Sequence, residues 1–398
     1  MRIMLGYLAR FITSTGGAEK VCCEMANELV RRGHEVSIVY CYGESGRPFY
    51  PLDQKVRMYN VMAEHPGKWH GTKTIRLPLK EKIEREIFRV FSVPRAHGVQ
   101  DTYMGNLIKE DLKAITEREN PDVIVSYWPK DSSCFIHFAE VQVPVITMFH
   151  FGPDILARDA SPVSAESCVK SRKVQVLLPG DVERLHRYIP KADAVWIPHA
   201  VPQYEEQANL ATVKGRYKIV NMARLDKTTK RQHIIVEAFA QIADRFPQWD
   251  VELWGQDWNK KYKKELENLI RRNHLEKRIS LKGMTKDVLS VYLKADIFAW
   301  PSSHEGFGLA LMEAMSAGIP AVACKSCLAS SELIPKECGI LAEDGVQAFS
   351  DGLAQLMKNQ ELRIQMGAAA KESTGKYAPE KIWDQWEQLI VSCAGTGK

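Results

Sequence analysis

Two carboxylates eight positions apart, Glu305 and Glu313, form the strongest chemical signal in the sequence. Glu305 lies in a glycine-containing loop after the apolar segment Ile297 to Trp300, and the pattern turns helical near Leu309. Side chains of a helix lean back toward its N-terminus. Glu313 is therefore expected to point to the same space as Glu305 and the first backbone amides of that helix. Such a site suits a ligand that offers hydroxyl groups and a negative charge.

A basic loop follows another predicted strand, Tyr217 to Ala223. The loop contains Arg224 and Lys230, and a helical pattern begins near Gln232. A guanidinium fork and a compact ammonium at the carboxyl end of a parallel strand could grip a diphosphate. The alternative is a basic loop that is merely solvated.

The first strand, predicted from Ile3 to Leu8, runs into a loop that ends in Gly16 and Gly17 before a helical pattern begins. Two glycines at such a turn let a phosphate or sugar approach the backbone amides at the positive end of the helix dipole. The alternative is an ordinary turn in which Thr15 caps the helix.

His150 stands at the carboxyl end of a further predicted strand, Val145 to Phe149. Open α/β sheets bind their ligands at this edge. A histidine that only packs or caps is the alternative interpretation.

The elements that must position these residues alternate regularly along the chain. Apolar strand-like segments and amphipathic helical segments follow one another in two series, and this rhythm indicates βαβ units with parallel sheets. A proline-bracketed segment, Val195 to Pro202, separates the series, and 398 residues exceed the usual size of one hydrophobic core. We predict an α/β protein with two Rossmann-like doubly wound domains, residues 1–200 and 201–378, and a C-terminal helix in residues 379–398 that crosses back to the first domain.

Composition limits the class of protein further. With 45% hydrophobic and 26% charged residues and a net charge of +5, the chain is typical of a globular protein. The nine cysteines are scattered, and the CxxC pair of Cys324 and Cys327 lacks a second ligand pair for zinc, so we expect reduced, packed thiols. No apolar run approaches the roughly 20 residues of a membrane-spanning helix, and the N-terminus does not resemble a signal peptide. We expect a cytoplasmic protein without a nucleic-acid partner.

Taken together and in order, these residues resemble the retaining family 4 of GT-B glycosyltransferases. The family signature is a Glu, seven residues and a second Glu, as in Glu305 and Glu313. The Gly-Gly loop, an Arg and a Lys six apart, and a glycine that ends a later strand, here Gly255, are further marks of the family. The resemblance spans nearly the whole chain. It implies two Rossmann-like domains that face each other across a cleft, the first for the acceptor and the second for the nucleotide-sugar donor.

The resemblance also implies a role for each matched residue. Glu313 would hold the ribose hydroxyls and Glu305 would orient hydroxyls of the donor sugar. Arg224 and Lys230 would bind the diphosphate, and His150 would face the donor. The backbone amides of Gly16, Gly17, Phe307, Gly308 and Leu309 would line the phosphate and sugar, and the base would lie against the segment from Leu281 to Met284.

Two positions depart from the family pattern. The linker carries His199 and Ala200 where the family commonly has Asn-Gly, and Cys-Leu-Ala-Ser-Ser replaces the usual glycines before Glu332. Sugar specificity is therefore expected to differ from that of other members.

The expected reaction needs no metal and no cofactor besides the nucleotide-diphosphate sugar, since the sequence contains no Asp-x-Asp. The resemblance implies retention by attack on the same face of the sugar, with Glu305 as an orienting residue. A double displacement through a carboxylate is the alternative. The resemblance favours uridine as the nucleoside of the donor. It does not identify the sugar, nor which glycan or lipid-linked molecule is the acceptor. A sugar-nucleotide epimerase and a binding-only protein are the other functions that this scaffold could serve.

A basic amphipathic segment in the first domain fits the βαβ rhythm poorly. Between Lys68 and Arg95, eight basic residues face three acidic ones, and residues 76–106 look like an insertion. Apolar side chains at helical spacing accompany the charges: Leu79, Ile83, Ile87, Val90 and Phe91. One interpretation is a helix that lies on the anionic inner face of the plasma membrane, close to a lipid-linked or lipopolysaccharide acceptor. The other is a stripe that packs on the sheet while the charges are solvated.

Overall fold

A computed structural model describes residues 1–64 and 75–395. Within these ranges the chain divides into two compact units. The first unit comprises Met1–His199 and the chain from Ile382 onward, and the second comprises Ala200–Lys381. Each unit contains a sheet of parallel strands with flanking helices, which confirms the predicted α/β class and its two Rossmann-like parts.

The described residues of the first unit form a sheet of seven parallel strands. These are β1 (Arg2–Tyr7), β2 (Glu35–Tyr40), β3 (Arg57–Asn60), β4 (Val123–Ser126), β5 (Val145–Met148), β6 (Lys173–Val176) and β7 (Ala194–Trp196). Their spatial order is β3-β2-β1-β4-β5-β6-β7. The central strands read as unbroken apolar runs because helices cover both of their faces.

The helices of the first unit connect these strands. They are α1 (Gly17–Arg31), α2 (Val61–Glu64), α3 (Leu79–Phe91), α4 (Val93–Glu119), α5 (Pro129–Ser133), α6 (Pro153–Leu156), α7 (Pro162–Lys170) and α8 (Asp181–Tyr188). A π-helical turn, Cys134–Phe138, follows α5.

The long helix α4 corrects the interpretation of residues 76–106 as an insertion. Ile108, Leu112 and Ile115 of α4 are buried in the same cluster as Met4 of β1 and Ile124 of β4. This helix is therefore part of the core, and its N-terminal half lies inside the segment that looked like an insertion.

In the second unit, six parallel strands form the sheet within the described residues. They are β8 (Tyr217–Met222), β9 (Trp249–Trp254), β10 (Ile279–Gly283), β11 (Ile297–Trp300), β12 (Ala321–Cys324) and β13 (Gly339–Ala342). The spatial order is β10-β9-β8-β11-β12-β13, so that β8 and β11 are neighbours at the centre of the sheet.

The remaining helices belong to this second half of the chain. They are α9 (Gln232–Ala240), α10 (Lys260–Arg272), α11 (Val288–Leu293), α12 (Leu309–Ser316), α13 (Leu328–Leu333), α14 (Val346–Lys358), α15 (Gln360–Ser373) and α16 (Pro379–Ala394). Short 3-10 turns lie at Ala243–Arg245 and Thr374–Tyr377.

From Ile382 onward the C-terminal helix α16 belongs to the first unit, where charged side chains hold it. Arg32, at the end of α1, places its guanidinium 2.7 Å from Asp384 and 2.6 Å from Glu387. His34 lies 2.8 Å from the same Glu387. Side chains of α16 such as Trp386 are buried, so these ion pairs fix a helix that also contributes to the core.

All nine cysteines are free thiols and buried. Burial raises the pKa of Cys324 to about 12 and also raises that of Cys327, as expected of packed thiols. Among the described helices, none combines the length and apolar character that crossing a bilayer requires.

Candidate active site

The basic loop after β8 is shaped by Asp226. One carboxylate oxygen of Asp226 accepts hydrogen bonds from the amides of Thr228 (3.0 Å) and Thr229 (2.9 Å) and from the Thr228 hydroxyl (2.9 Å). Burial opposes the charged form of Asp226, but these hydrogen bonds outweigh it and lower the pKa. The resulting tight turn carries Lys230 to the start of α9.

Lys230 and Glu305 meet directly, although they lie 75 positions apart. The ammonium of Lys230 donates to Oε1 of Glu305 at 2.5 Å, and the two side chains are only 15% and 11% exposed. The same ammonium lies 5.3 Å from the ring centroid of Trp300, the last residue of β11. The ammonium of Lys230 and the carboxylate of Glu305 are therefore in contact and partly desolvated at the carboxyl edge of the sheet.

Backbone contacts join the loops that carry this pair. Ser303 donates through its amide to the carbonyl of Thr229 (2.8 Å) and through its hydroxyl to that of Thr228 (3.0 Å). The Lys230 loop and the Glu305 loop thus hold each other in place, so their contact does not depend on the ion pair alone.

Arg224 occupies the opposite, more open end of the loop. Its side chain is 46% exposed, lies 3.7 Å from Asp226 and places the guanidinium 5.8 Å from the ring centroid of Trp258. The backbone here depends on Gly255, which has φ +145°, and a β-carbon at that position would lie 1.9 Å from the carbonyl oxygen of Ala223. Only glycine allows β9 to end so close to the residue that precedes Arg224.

The start of α12 brings the second carboxylate to this edge. Gly308 is the N-cap in a left-handed conformation (φ 79°) and Leu309 begins the helix. Phe307 is buried and packs edge-on against Tyr377, with 5.5 Å between ring centroids. Glu313, one turn into the helix as predicted, is buried.

Glu313 has a tyrosine beside it that the sequence did not single out. The hydroxyl of Tyr292 donates to Oε2 of Glu313 at 3.4 Å and to the carbonyl of Ala310 at 3.1 Å. Burial and the nearby charge of Glu313 raise the pKa of Tyr292 far above its usual value. The tyrosine therefore stays a neutral donor that orients the carboxylate.

Met284 follows β10, on the same edge of the sheet but two strands away from β8. Its side chain is 53% exposed. The preceding strand shifts register between Leu281 and Gly283, and Gly283 has φ +72°. The predicted base-binding segment is thus an irregular strand end with an exposed thioether.

In the first unit, Gly16 and Gly17 form the entry to α1. Gly16 is the N-cap, so the capping position lies one residue after Thr15. Glu19, in the first turn, is buried and hydrogen-bonds Tyr7. Burial and this carboxylate raise the pKa of Tyr7 far above its usual value. Glu19 was missed by sequence reasoning, although an acidic residue in the first turn after two glycines is a readable signal.

His150 lies at the end of β5 inside a stack of rings. Tyr127 covers one side of its imidazole (5.0 Å between centroids, 12° between planes), and His199 lies 5.4 Å away at 21°. Trp128 contacts its edge at 5.3 Å. Both ring nitrogens of His150 are buried and have no hydrogen-bond partner within the described part of the chain, so the capping alternative is wrong.

Both histidines of this stack are neutral. Burial, and then the charge that His199 would carry, lower the pKa of His150 far below its usual value. Burial lowers the pKa of His199 to about 3. In the sequence His199 stood out only as a departure from the family pattern, and its position against His150 required the tertiary fold.

The predicted site residues thus fall into two groups. In the second unit, Lys230 and Glu305 are in contact, Arg224 lies on the same loop, and Glu313 lies on the helix that the Glu305 loop enters. Gly16, Gly17 and His150 belong to the first unit.

Comparison with known proteins defines the family. The profile of the family described as Glycosyl transferases group 1 matches residues 202–373, and that of Glycosyltransferase Family 4 matches residues 15–202. The D-inositol 3-phosphate glycosyltransferase of Corynebacterium glutamicum is 30% identical over 389 residues, which cover 90% of this chain and 87% of that protein. The chain therefore belongs to the group 1 glycosyltransferases and has the GT-B fold that was predicted.

Two further similarities bear on chemistry. The amylovoran biosynthesis glycosyltransferase AmsD of Erwinia amylovora is 21% identical over 391 residues, covering 95% of this chain and 97% of that protein. The structure of Anabaena HepE in complex with UDP-glucose has a TM-score of 0.71 at 17% identity, covering 98% of this chain and all of that chain. At such identity the latter establishes the fold.

Proposed function

We propose that this glycosyltransferase moves a hexosyl unit from a UDP-sugar to a glycan or lipid-linked acceptor in the synthesis of cell-envelope polysaccharide or lipopolysaccharide. The observation that carries the proposal is the contact between Lys230 and Glu305, with Arg224 on the same loop. It places two cations and one carboxylate where an open α/β sheet binds its ligand. A diphosphate and the hydroxyls of an attached sugar are the groups that such a set recognises.

The choice of donor and of product class draws on the related proteins. Anabaena HepE binds UDP-glucose, and AmsD takes its name from the biosynthesis of a polysaccharide. Shared fold and near full-length similarity make a UDP-sugar and a polysaccharide-type acceptor the first candidates for this chain.

The cations would supply most of the rate enhancement. As the bond between the anomeric carbon and the phosphate oxygen breaks, negative charge develops on the departing diphosphate. Lys230 and Arg224 would neutralise that charge, and a preorganised donor of this kind is typically worth about 10²–10³ in turnover. Because these side chains supply the positive charge, the reaction proposed here needs no metal ion.

In the proposed reaction the acceptor attacks the same face of the sugar from which the diphosphate departs, so the anomeric configuration is retained. The acceptor oxygen forms its bond to the anomeric carbon while the departing phosphate oxygen takes the acceptor's proton. One carboxylate oxygen of Glu305 already accepts from the ammonium of Lys230 at 2.5 Å, which favours an orienting carboxylate over a nucleophile. A covalent glycosyl adduct on Glu305 would overturn this mechanism in favour of a double displacement.

The other predicted residues would hold the rest of the donor. Glu313, oriented by Tyr292, would accept from the ribose hydroxyls, and Met284 would lie against the base. His150 is neutral, and its ring nitrogens have no partner within residues 1–64 and 75–395, so it would hydrogen-bond a sugar hydroxyl. The amides that would line the phosphate and sugar are those of Gly16, Gly17, Phe307, Gly308 and Leu309.

The place of action proposed here is the cytoplasm, with peripheral contact to the inner face of the plasma membrane. A lipid-linked acceptor is held in a bilayer, so contact with the membrane surface would raise the encounter rate without a spanning helix.

The proposed reaction is tested by incubating the full chain with UDP-sugars, with and without a glycan or lipid-linked acceptor and with and without EDTA. We expect transfer to the acceptor, retained anomeric configuration and full activity in EDTA. Conversion of the donor sugar without an acceptor would instead identify an epimerase, and an unchanged donor in every reaction would identify a binding-only protein. Loss of activity on chelation would contradict the metal-free step.

A further inference from the structure

The helix α3 exposes its apolar side chains to solvent. Five large apolar residues on it are between 53% and 81% exposed: Leu79, Ile83, Ile87, Val90 and Phe91. Their spacing places them on one side of the helix. A contiguous apolar stripe of this kind marks an interaction surface, because isolated exposed residues would be scattered instead. We call these five residues the α3 stripe.

The opposite side of α3 faces the protein. Glu81, Arg85 and Phe88 are half-buried, and α3 packs against α4. The interpretation in which the stripe packs on the sheet is therefore wrong. An amphipathic helix that turns its mixed face inward and its apolar face outward needs a partner outside this unit.

The charges beside the stripe decide between partners. Lys82 and Arg89 are exposed along one border of the stripe, Lys80 is exposed within its arc, and Glu84 is exposed along the other border. Of the acidic residues, Glu86 is neutralised by Arg85 (2.7 Å) and Arg89 (2.9 Å). Long basic side chains can bury their stems beside apolar residues while their charged ends reach a polar layer.

A second copy of this chain fits the surface less well than a bilayer does. The helix α3 carries four basic and three acidic residues, so pairing two α3 stripes would bring together two weakly basic surfaces that offer each other no surplus negative charge. An anionic lipid surface offers negative headgroups to the basic border and acyl chains to the stripe, which is the arrangement of helices that lie in a membrane interface.

We infer that the α3 stripe and its basic border dock this protein on anionic bilayers. The inference rests on the proposed function in one respect: docking would bring the enzyme to a lipid-linked acceptor. Binding to vesicles can be measured without any turnover. Lys68 and Lys73 of the same basic segment lie outside the described residues.

The inference is tested by co-sedimentation of the full chain with phosphatidylcholine vesicles, with and without phosphatidylglycerol. We expect binding that requires phosphatidylglycerol and weakens as salt is added. Changing Lys80, Lys82, Arg85 and Arg89 to Gln should lower partitioning by more than about tenfold, since each basic residue near an anionic surface is worth roughly fivefold. The same change at Lys260, Lys261, Lys263 and Lys264 of α10 is the charge control.

A matched pair of substitutions tests the stripe itself. Val90 and Val213 are equally exposed, at 79% and 80%, and Val213 lies in the second unit. Val90→Ser should reduce vesicle binding several-fold and Val213→Ser should leave it unchanged. Both should keep wild-type melting temperatures, since neither side chain is packed.

The inference would be overturned if the wild-type protein did not bind anionic vesicles at low salt, or if Val90→Ser and Val213→Ser reduced vesicle binding equally. It would also be overturned if light scattering showed a concentration-dependent dimer that Val90→Ser abolishes. Turnover of a UDP-sugar with a water-soluble acceptor is measured on the same variants and should not change. Vesicle binding without any turnover would overturn the proposed function and leave the inference standing.

Discussion

The two units place very different chemistry at the carboxyl edges of their sheets. In the second unit, the loops after β8 and β11 carry charged groups that pair with each other, Lys230 with Glu305 at 2.5 Å. In the first unit, the loop after β5 carries His150, stacked between Tyr127 and His199 and neutral. Parallel sheets offer a ligand edge in both cases. The difference is that the described charged pair lies in the second unit, whereas the histidines of the first unit are neutral and stacked.

The physical reason is the presence or absence of a counter-charge. Lys230 and Glu305 lie 2.5 Å apart with little exposure, so each offers the other an opposite charge. His150 and His199 are buried without a carboxylate beside them, so their charged forms are disfavoured and their pKa values fall.

The largest effect is expected from removing a cation of the second unit. Lys230→Ala and Arg224→Ala should each lower turnover by about 10²–10³, or about 3–4 kcal/mol of transition-state stabilisation. Steady-state kinetics with a UDP-sugar measures this. Lys227→Ala is the control, because Lys227 lies in the same loop but pairs with Glu265 at the surface. Equal turnover in wild type and either variant would remove the diphosphate role.

A smaller loss is expected when the ribose carboxylate is neutralised. Glu313→Gln keeps the shape and can still accept from Tyr292, but it loses the charge that strengthens hydrogen bonds to hydroxyl donors. Nucleotide affinity should fall by about 1.5–3 kcal/mol, or roughly 10- to 100-fold. Calorimetric titration with UDP measures this, and Glu337→Gln, at an exposed position of the same unit, should bind as wild type does. If Glu313→Gln binds UDP as tightly, the ribose role is wrong.

The neutral histidines of the first unit predict a stability that depends on pH. The pKa of His199 is about 3 in the fold and about 6.5 in an unfolded chain. Between those values the unfolded chain binds a proton that the folded chain does not. Stability should therefore fall as the pH drops below about 6.5, by about 2 kcal/mol between about pH 7 and pH 5.

The comparison of wild type with His199→Asn isolates this effect. Burial raises the pKa of Asp131 to about 7. Because the folded chain then binds a proton more readily than the unfolded chain, Asp131 makes the protein more stable as the pH falls. Thermal unfolding of both proteins over the same pH range measures the stability of wild type relative to His199→Asn. We expect this relative stability to fall on acidification. A difference that does not change with pH would mean that His199 binds its proton as readily in the fold as in the unfolded chain.

The smallest effect concerns the two N-cap glycines. Gly308 has φ 79°, where a β-carbon is strained, whereas Gly16 has φ −80°, which any residue adopts. Gly308→Ala should cost about 1–2 kcal/mol of stability through backbone strain. A β-carbon at Gly16 would lie 2.5 Å from Oε2 of Glu19, so Gly16→Ala should cost less only if that side chain moves aside. Thermal unfolding of the two variants measures this, and an equal or larger loss for Gly16→Ala would show that the first loop is the more constrained one.

Local patterns in the sequence predicted the strands that carry the site. The predicted segment Ile297 to Trp300 matches β11, and Val145 to Phe149 exceeds β5 by one residue. The helices after the two candidate loops begin at Gln232 and Leu309 as predicted. Buried parallel strands read as apolar runs and helices show their period, so such elements are visible in sequence. Short strands of mixed composition, such as Lys173–Val176, were not recognised because four residues with alternating polarity carry little periodic signal.

The sequence by itself determined the α/β class, the order of the loops and the residue types that could meet a diphosphate. Only the tertiary structure decided that Lys230 touches Glu305, that Tyr292 orients Glu313, and that His199 stacks on His150. It also decided that the α3 stripe points outward. The physical reason is that periodicity reports which residues of an element share a face, whereas the neighbour of that face depends on contacts between residues far apart in the chain.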